Sequence, residues 1–290
     1  MSMQAAEQLI NGLILGAMYA LVASGLSLIW GSLKMLNFAH GEFYMLGGYM
    51  VFMAFTIMGM HPLIALIFTM VSVFLMGAIL QHLLIRPLVD KPGWDVSHIV
   101  ITLGISIFLQ NFAHRVWGEN FQNVPYFFNG TSTIFGLGIS HQRILILVVT
   151  VLVIFLLITF LKKSRAGWAL RATAQDRDAA TLYGVDVQKV YMWTMGLSAA
   201  LAALSAAMLA PIYSVNPWMG NAVLTKGFIV CVLGGLGSLE GAILGGILLA
   251  TAESLGVLFW SSEWKDVVSF ALLIIVLWIR PSGLFGTKEW

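Results

Sequence analysis

The residues in this chain whose types and spacing could do chemistry are mostly carboxylates and small polar groups set in hydrocarbon. Asn37-Phe38-Ala39-His40-Gly41-Glu42 is a polar knot between two closely spaced apolar stretches. Polar groups and glycine at a break between membrane helices line protein or water in preference to lipid. A helix beginning near Gly41 would offer its free amides and positive dipole end to a carboxylate, while Glu42 would offset that end or meet an ammonium. A zwitterion would suit such a site; alternatively, Asn37 and His40 cap a helix and Glu42 is a first-turn charge at the membrane surface. Gly235-Leu236-Gly237-Ser238-Leu239-Glu240 makes the same offer, with Ser238 as the N-cap. Glu253 lies well along an apolar stretch whose other formal charge is Glu240. It is either a functional intramembrane carboxylate or one bonded to a neighbouring helix that holds the bundle together.

A second group of residues lies on a polar island. Between Phe160 and Tyr191 fall Lys162, Lys163, Arg165, Arg171, Arg177 and Lys189, with Asp176, Asp178 and Asp186 among them. Within the island, Thr173 and Asp176 have the spacing of a capping box, Ala174 to Tyr183 favour a helix, and Gly184 suits the left-handed position after a helix end. These features predict one short surface-lying helix. Ala179 and Ala180 would admit a partner groove closely, and Arg171, Asp176, Arg177 and Asp178 would fix its orientation by charge. A purely topological loop explains the cations but not the Asp178-Ala179-Ala180…Gly184 spacing.

Several classes of function are excluded by what the sequence lacks. There is no G-x-x-x-x-G-K-[ST], so the chain has no P-loop for ATP and must borrow its energy. H-E-x-x-H, G-x-S-x-G and Cys/His metal spacings are missing too, so no catalytic residue, metal or bound cofactor is assigned. Cys231, the single cysteine, rules out an internal disulfide and reads as a small packing residue. The basic residues gather beside apolar spans, where the positive-inside bias accounts for a pI near 8.7 without nucleic acid.

The elements that must carry these residues are membrane helices. With 59% hydrophobic and 10% charged residues among 290, the chain has more apolar residues than a soluble core needs. It reads as one integral membrane domain over 1–290, all-α, a bundle of about nine (8–10) transmembrane helices in contact with lipid. Candidate spans are 7–30, 41–60, 62–85, 97–117, 141–161, 190–210, 222–236, 239–260 and 266–280. The 222–236 stretch is short enough to be re-entrant. Glu7 is the only charge in the first eleven residues, so the positive start of a cleavable signal is missing and the first span is expected to remain. Placing the 162–189 island inside also places Arg86, Lys91, Arg280 and Lys288 inside, with the N-terminus outside, the C-terminus inside, and Gly118 to Ser140 as an external loop. Asn216-Pro217-Trp218 and Tyr213 read as an outer turn with an aromatic belt. Gly12 with Gly16, Gly241 with Gly245, and the run Ser198 to Ala207 have the spacing of close helix packing. Glu42-x-x-x-Leu46-Gly47-Gly48 followed by Ile85-Arg86-Pro87 is echoed by Glu240-x-x-x-Leu244-Gly245-Gly246 followed by Ile279-Arg280-Pro281. The echo is a duplication or a coincidence of Gly-rich membrane sequence.

The ordered motifs resemble a known family along essentially the whole chain. They are Ile10-Asn11-Gly12 with Tyr19-Ala20-Leu21; Asn37 to Glu42 with Gly47-Gly48-Tyr49; Ser106 to Asn111; Arg171-Ala172 with Asp178 to Gly184; Asn216-Pro217; Val232 to Ser238; and Glu263 to Phe270. In these the chain resembles the LivH-type permease subunit of bacterial branched-chain amino acid ABC importers. The resemblance implies an inner-membrane importer of leucine, isoleucine or valine. This subunit would pair with a LivM-type permease, two cytoplasmic ATPases that use ATP and Mg would dock beneath it, and a periplasmic binding protein would deliver cargo. It also implies that selectivity rests mainly with the binding protein. The docking signature has Asp178 where other importers have Glu and lacks their Ile-x-Leu-Pro tail, which bears on docking geometry more than on docking. Import of urea or short amides on the same scaffold, or a stand-alone secondary transporter or channel, are the alternatives.

Overall fold

A computed structural model of the chain describes residues 2–89, 91–134, 137–259 and 261–286; Lys288 lies outside them. The described residues form eleven α-helices: α1 (Ser2–Leu33), α2 (His40–Val51), α3 (Pro62–Leu80), α4 (Trp94–Trp117), α5 (His141–Lys163), α6 (Arg165–Gln175), α7 (Arg177–Leu182), α8 (Val187–Leu209), α9 (Met219–Gly234), α10 (Leu239–Gly256) and α11 (Lys265–Ile279). A π-helical segment extends α2 to Ile57, and a π-helical segment followed by a tighter 3-10 turn extends α3 to Leu88. Among the described residues six helices, at Gln4–Leu33, Pro62–Leu88, Val96–Trp117, His141–Lys163, Val187–Leu209 and Leu239–Gly256, are long and apolar enough to cross a membrane. The other three stretches expected to span are shorter: α2 starts inside the bundle, and α9 and α11 have 16 and 15 residues, or about 22–24 Å of rise.

Burial separates a centre from a rim. The apolar windows of α1 and α8 are each 83% buried, against 33%, 28% and 22% for the spans built on α3, α4 and α5. Those three therefore leave outward faces, such as Phe68, Phe108 and Phe155, exposed. Small residues let the central helices touch backbone to backbone, the main source of packing energy where lipid is as apolar as leucine. Gly12 lies against Thr251, Gly16 against Ile247, and Gly246 against Ala20, so α1 and α10 run antiparallel. Gly47 meets Ala203 of α8, Gly241 meets Gly234, and Gly245 meets Val230 and Leu233. The Ser198–Ala207 run is buried throughout. The two copies of the sequence echo fall on successive helix pairs, α2 with α3 and α10 with α11.

The expected external loop contains structure. β1 (Thr131–Ile134) and β2 (Leu137–Ser140) form an antiparallel hairpin, Thr131 opposite Ser140. Gln122 pairs with Val215, tying this segment to the α8–α9 turn, where Asn216 accepts a hydrogen bond from the Trp218 amide. At the opposite end of the bundle, the amides of Leu284 and Phe285 donate to the carbonyls of Leu233 and Gly234. Arg280 and Lys34 are at that same end, since Pro281, Phe285, Trp30 and Lys34 share one cleft.

Candidate functional site

The polar knot is built by a sharp reversal. α1 stops at Leu33, Lys34 takes a left-handed φ of 51°, and the chain turns back into the bundle, where Asn37 and His40 are buried. Asn37 closes a local turn by accepting from the Ala39 amide at 3.0 Å, and its amide nitrogen lies 3.4 Å from Met195 Sδ. His40 Nε2 is 3.0 Å from the carbonyl of Val22, and Nδ1 is 3.2 Å from Ser198 Oγ. A carbonyl can only accept, so Nε2 carries the proton and Nδ1 accepts from Ser198. His40 thus fastens α2 to α1 and α8, with both ring nitrogens engaged, and it does not cap α2. Val22 and Leu33 are separated by about 16 Å of helix, so α2 begins roughly half a hydrocarbon thickness into the bundle.

At that depth two helix starts meet. Gly41 and Gly220, each the second residue of its helix, are in backbone contact: a Cβ built on Gly41 would fall 2.5 Å from the Gly220 carbonyl oxygen. The positive ends of α2 and α9 therefore converge in the interior. Beside them Glu42, 1% exposed, accepts a 3.0 Å hydrogen bond from Ser106 of α4 through Oε1, while its Oε2 has no hydrogen-bond partner. Phe38 packs on Phe228 next to this junction.

Gly237 and Ser238 are not part of the same cluster. Gly237 has φ +83° and faces Gly31 of α1, about 9 Å of rise beyond Gly25, which touches His40. Ser238 accepts from the Gly241 amide at 3.0 Å and caps α10, as its sequence position implies. The two glycine-rich knots thus lie at different depths.

Glu253 is 1% exposed and fully engaged. Lys226 of α9 approaches its Oε1 at 2.8 Å, the Tyr19 hydroxyl of α1 donates at 3.3 Å, and Ser269 of α11 donates to it as well. Lys226 also reaches Ser269 Oγ at 2.6 Å and Asp266 at 2.7 Å. Of the two sequence readings, the one that bonds Glu253 to neighbouring helices fits this geometry. Lys226 is a residue the sequence analysis does not single out; the signal for it is a lone lysine within an apolar stretch, which calls for a buried counter-charge.

The basic island folds differently from the single helix expected there. Thr173 is buried in the last turns of α6, and Asp176 breaks the helix and caps α7 itself, its carboxylate accepting from the Ala179 amide at 2.9 Å. A capping side chain needs extended backbone, and Asp176 has φ −153°. α7 then closes as anticipated at Gly184, with φ +83°. The Gly184 amide donates to Thr181 and the Val185 amide to Ala180, the paired bonds of a glycine-terminated helix. Asp186 starts α8 by accepting from the Lys189 amide, and these Lys189 bonds hold its carboxyl below the usual carboxylate range. Ala180, expected at the partner surface, is turned into the protein at 4% exposure. The exposed tip is instead Leu182 and Tyr183, 89% and 90% exposed. Arg171, Asp176 and Asp178 are also exposed, and the Arg177 guanidinium lies 5.7 Å from the Tyr191 ring centre.

A multi-pass bundle with a stiff capped helix at one end and converging helix starts in its interior is the setting in which the comparisons apply. Residues 8–277 match the family described as the permease component of branched-chain amino acid transport systems. The chain belongs to that family. It is 39% identical to the high-affinity branched-chain amino acid transport system permease protein BraD of Pseudomonas aeruginosa, covering 98% of this chain and 96% of that one. It is 37% identical to the corresponding LivH of Escherichia coli K12 over the same shares. An archaeal relative, from Methanocaldococcus jannaschii and named a probable branched-chain amino acid transport permease LivH, is 26% identical over 97% of this chain. The permease is thus a multi-pass membrane transport subunit.

Proposed function

We propose that this permease forms half of the translocation path of an ATP-driven importer of branched-chain amino acids in the bacterial inner membrane. It would work with a second, LivM-type permease, two cytoplasmic ATPases and a periplasmic binding protein. Family membership and the names of the relatives support the cargo. The observation that carries the coupling mechanism is the α7 tip: a six-residue helix fixed at both ends, with Leu182 and Tyr183 held out in the solvent. An apolar pair on a rigid short element is what a groove in a separate motor would grip. Because α7 runs through Gly184 into the central helix α8, displacement of the tip would be passed to the helix that contacts α1, α2 and α3.

The cargo-facing part of the path is assigned to the junction of α2 and α9. Two positive helix ends would face the cargo carboxylate, and the free oxygen of Glu42 would accept from its ammonium. Phe38 and Phe228 would meet the uncharged side chain. No covalent chemistry is required, and ATP and Mg would act only on the partners.

The test is nucleotide-dependent uptake of labelled leucine by cells carrying the complete transporter. Leu182→Asp with Tyr183→Asp is expected to abolish uptake and co-purification of the ATPases while the chain still inserts. Wild-type uptake by that double variant would refute the docking assignment. Steady leucine flux through vesicles holding this chain alone would refute the ABC reading altogether.

A further inference from the structure

Between α3 and α5 the rim of the bundle is open, and an apolar cleft of about 630 Å³ reaches down to α8. We infer that this cleft holds an acyl chain of an anionic glycerophospholipid whose phosphate is gripped by Lys163 and Lys189. Three observations converge on that ligand. First, the walls are two continuous stripes: Val153, Leu156, Leu157 and Phe160 on α5, and Val190, Trp193, Leu197 and Leu201 on α8. Both have helical spacing, so each presents one face. Second, both stripes end in a cation at the same end. Lys189 lines the mouth beside Val190, and Lys163 follows Phe160 by three positions on the same face. Exposed Arg165 stands next to Ala166 of the cleft, and Asp186 is the one acidic residue of the lining, paired with Lys189 at 3.0 Å. Third, the depth fits one leaflet. From Lys189 to Leu201 α8 rises about 18 Å, against about 15 Å for half of the hydrocarbon layer.

Trp193 lines the α8 wall one turn in from Lys189. α8 is otherwise the most buried helix together with α1, yet Trp193 is 53% exposed, and its ring meets Phe74 of α3 edge-on at 5.3 Å. At the mouth, Trp168 is 56% exposed and its indole donates to the Lys162 carbonyl at 2.7 Å, the placement of an interfacial aromatic. Basic clefts between membrane helices favour anionic headgroups over zwitterionic ones through local charge and the surface potential. The choice of leaflet rests on the proposed orientation; the binding itself does not.

The complete transporter in nanodiscs tests this with bromine-labelled lipid, read as quenching of the fluorescence that Trp193→Phe removes. Brominated phosphatidylglycerol in a phosphatidylcholine background is expected to quench that component at lower mole fraction than brominated phosphatidylcholine does. Lys163→Gln with Lys189→Gln should erase the preference, by roughly five-fold per cation removed. Leu197→Trp, which fills the cleft and leaves the charges, should prevent quenching of the Trp193 component by either lipid. Equal quenching by the two lipids in the parent protein would overturn the anionic site. Loss of all quenching on assembly would show that a partner subunit, not lipid, occupies the cleft. Leucine uptake by the same variants reads the transport function separately.

Discussion

Lys226 concentrates more of the interior electrostatics than any other side chain described. Its ammonium, on a side chain 11% exposed, joins Glu253 on α10 to Asp266 and Ser269 on α11. All three of its donors are used, so the pair is a clamp between helices and has no donor left for cargo. Removing one partner of a buried pair leaves an uncompensated charge and costs about 3–5 kcal/mol. Lys226→Met is therefore expected to lower the thermal unfolding midpoint strongly in nanodiscs. Adding Glu253→Gln, which removes the unpaired charge and keeps one of the two acceptor oxygens, should restore more than half of the loss. If Lys226→Met melts with the parent, the clamp contributes nothing. Glu253 was visible in the sequence as an isolated charge, because a carboxylate among leucines stands out on any scale. Its partner, 27 residues away, was not, because periodicity says which face a residue is on and nothing about which helix will meet it.

At the scale of elements, α7 has too few residues to be stable alone, since a turn of helix fixes several dihedrals for its first hydrogen bond. Its ends therefore decide whether it forms. Asp176→Ala removes the cap and is expected to cost about 1 kcal/mol of α7 stability, whereas Asp176→Asn should be nearly silent. Gly184→Val places a β-branched residue at φ +83° and adds about 1–2 kcal/mol of strain. Faster amide hydrogen exchange over 177–182 in the alanine and valine variants, with weaker ATPase co-purification, would be the readout; unchanged exchange would show that α7 is held by packing alone. Long apolar runs and the glycine stop were legible in the sequence. The break at Asp176 was misplaced because an aspartate serves equally as the third residue of a capping box or as the cap. The hairpin at 131–140 is not expected from sequence because the Asn, Gly and Thr of the 118–140 stretch read as loop, although threonine and isoleucine also favour strands. The start of α2 inside the bundle depended on the left-handed turn at Lys34, a conformation sequence seldom announces in a lysine.

For the whole molecule, the two ends of the bundle are chemically unlike, and the proposed mechanism depends on which faces the cytoplasm. One end carries the 131–140 hairpin and the Tyr213–Trp218 turn; the other carries α6, α7, Arg280 and the Gly235–Ser238 turn. Lys162, Lys163, Arg165 and Arg171 all lie at the second end, and short cationic loops stay on the cytoplasmic side. Cys231 is 2% exposed, so a Cys231→Ala chain supplies a silent background for thiol labelling. In spheroplasts, a membrane-impermeant maleimide is expected to label Thr133→Cys directly and Leu182→Cys only after lysis, both residues being exposed. The reverse pattern would place the α7 tip outside, where no ATP-driven partner can reach it, and coupling through α8 would fail with it. The same result would move the mouth of the α5–α8 cleft to the outer leaflet, leaving its acyl site intact but changing the lipid pool that fills it.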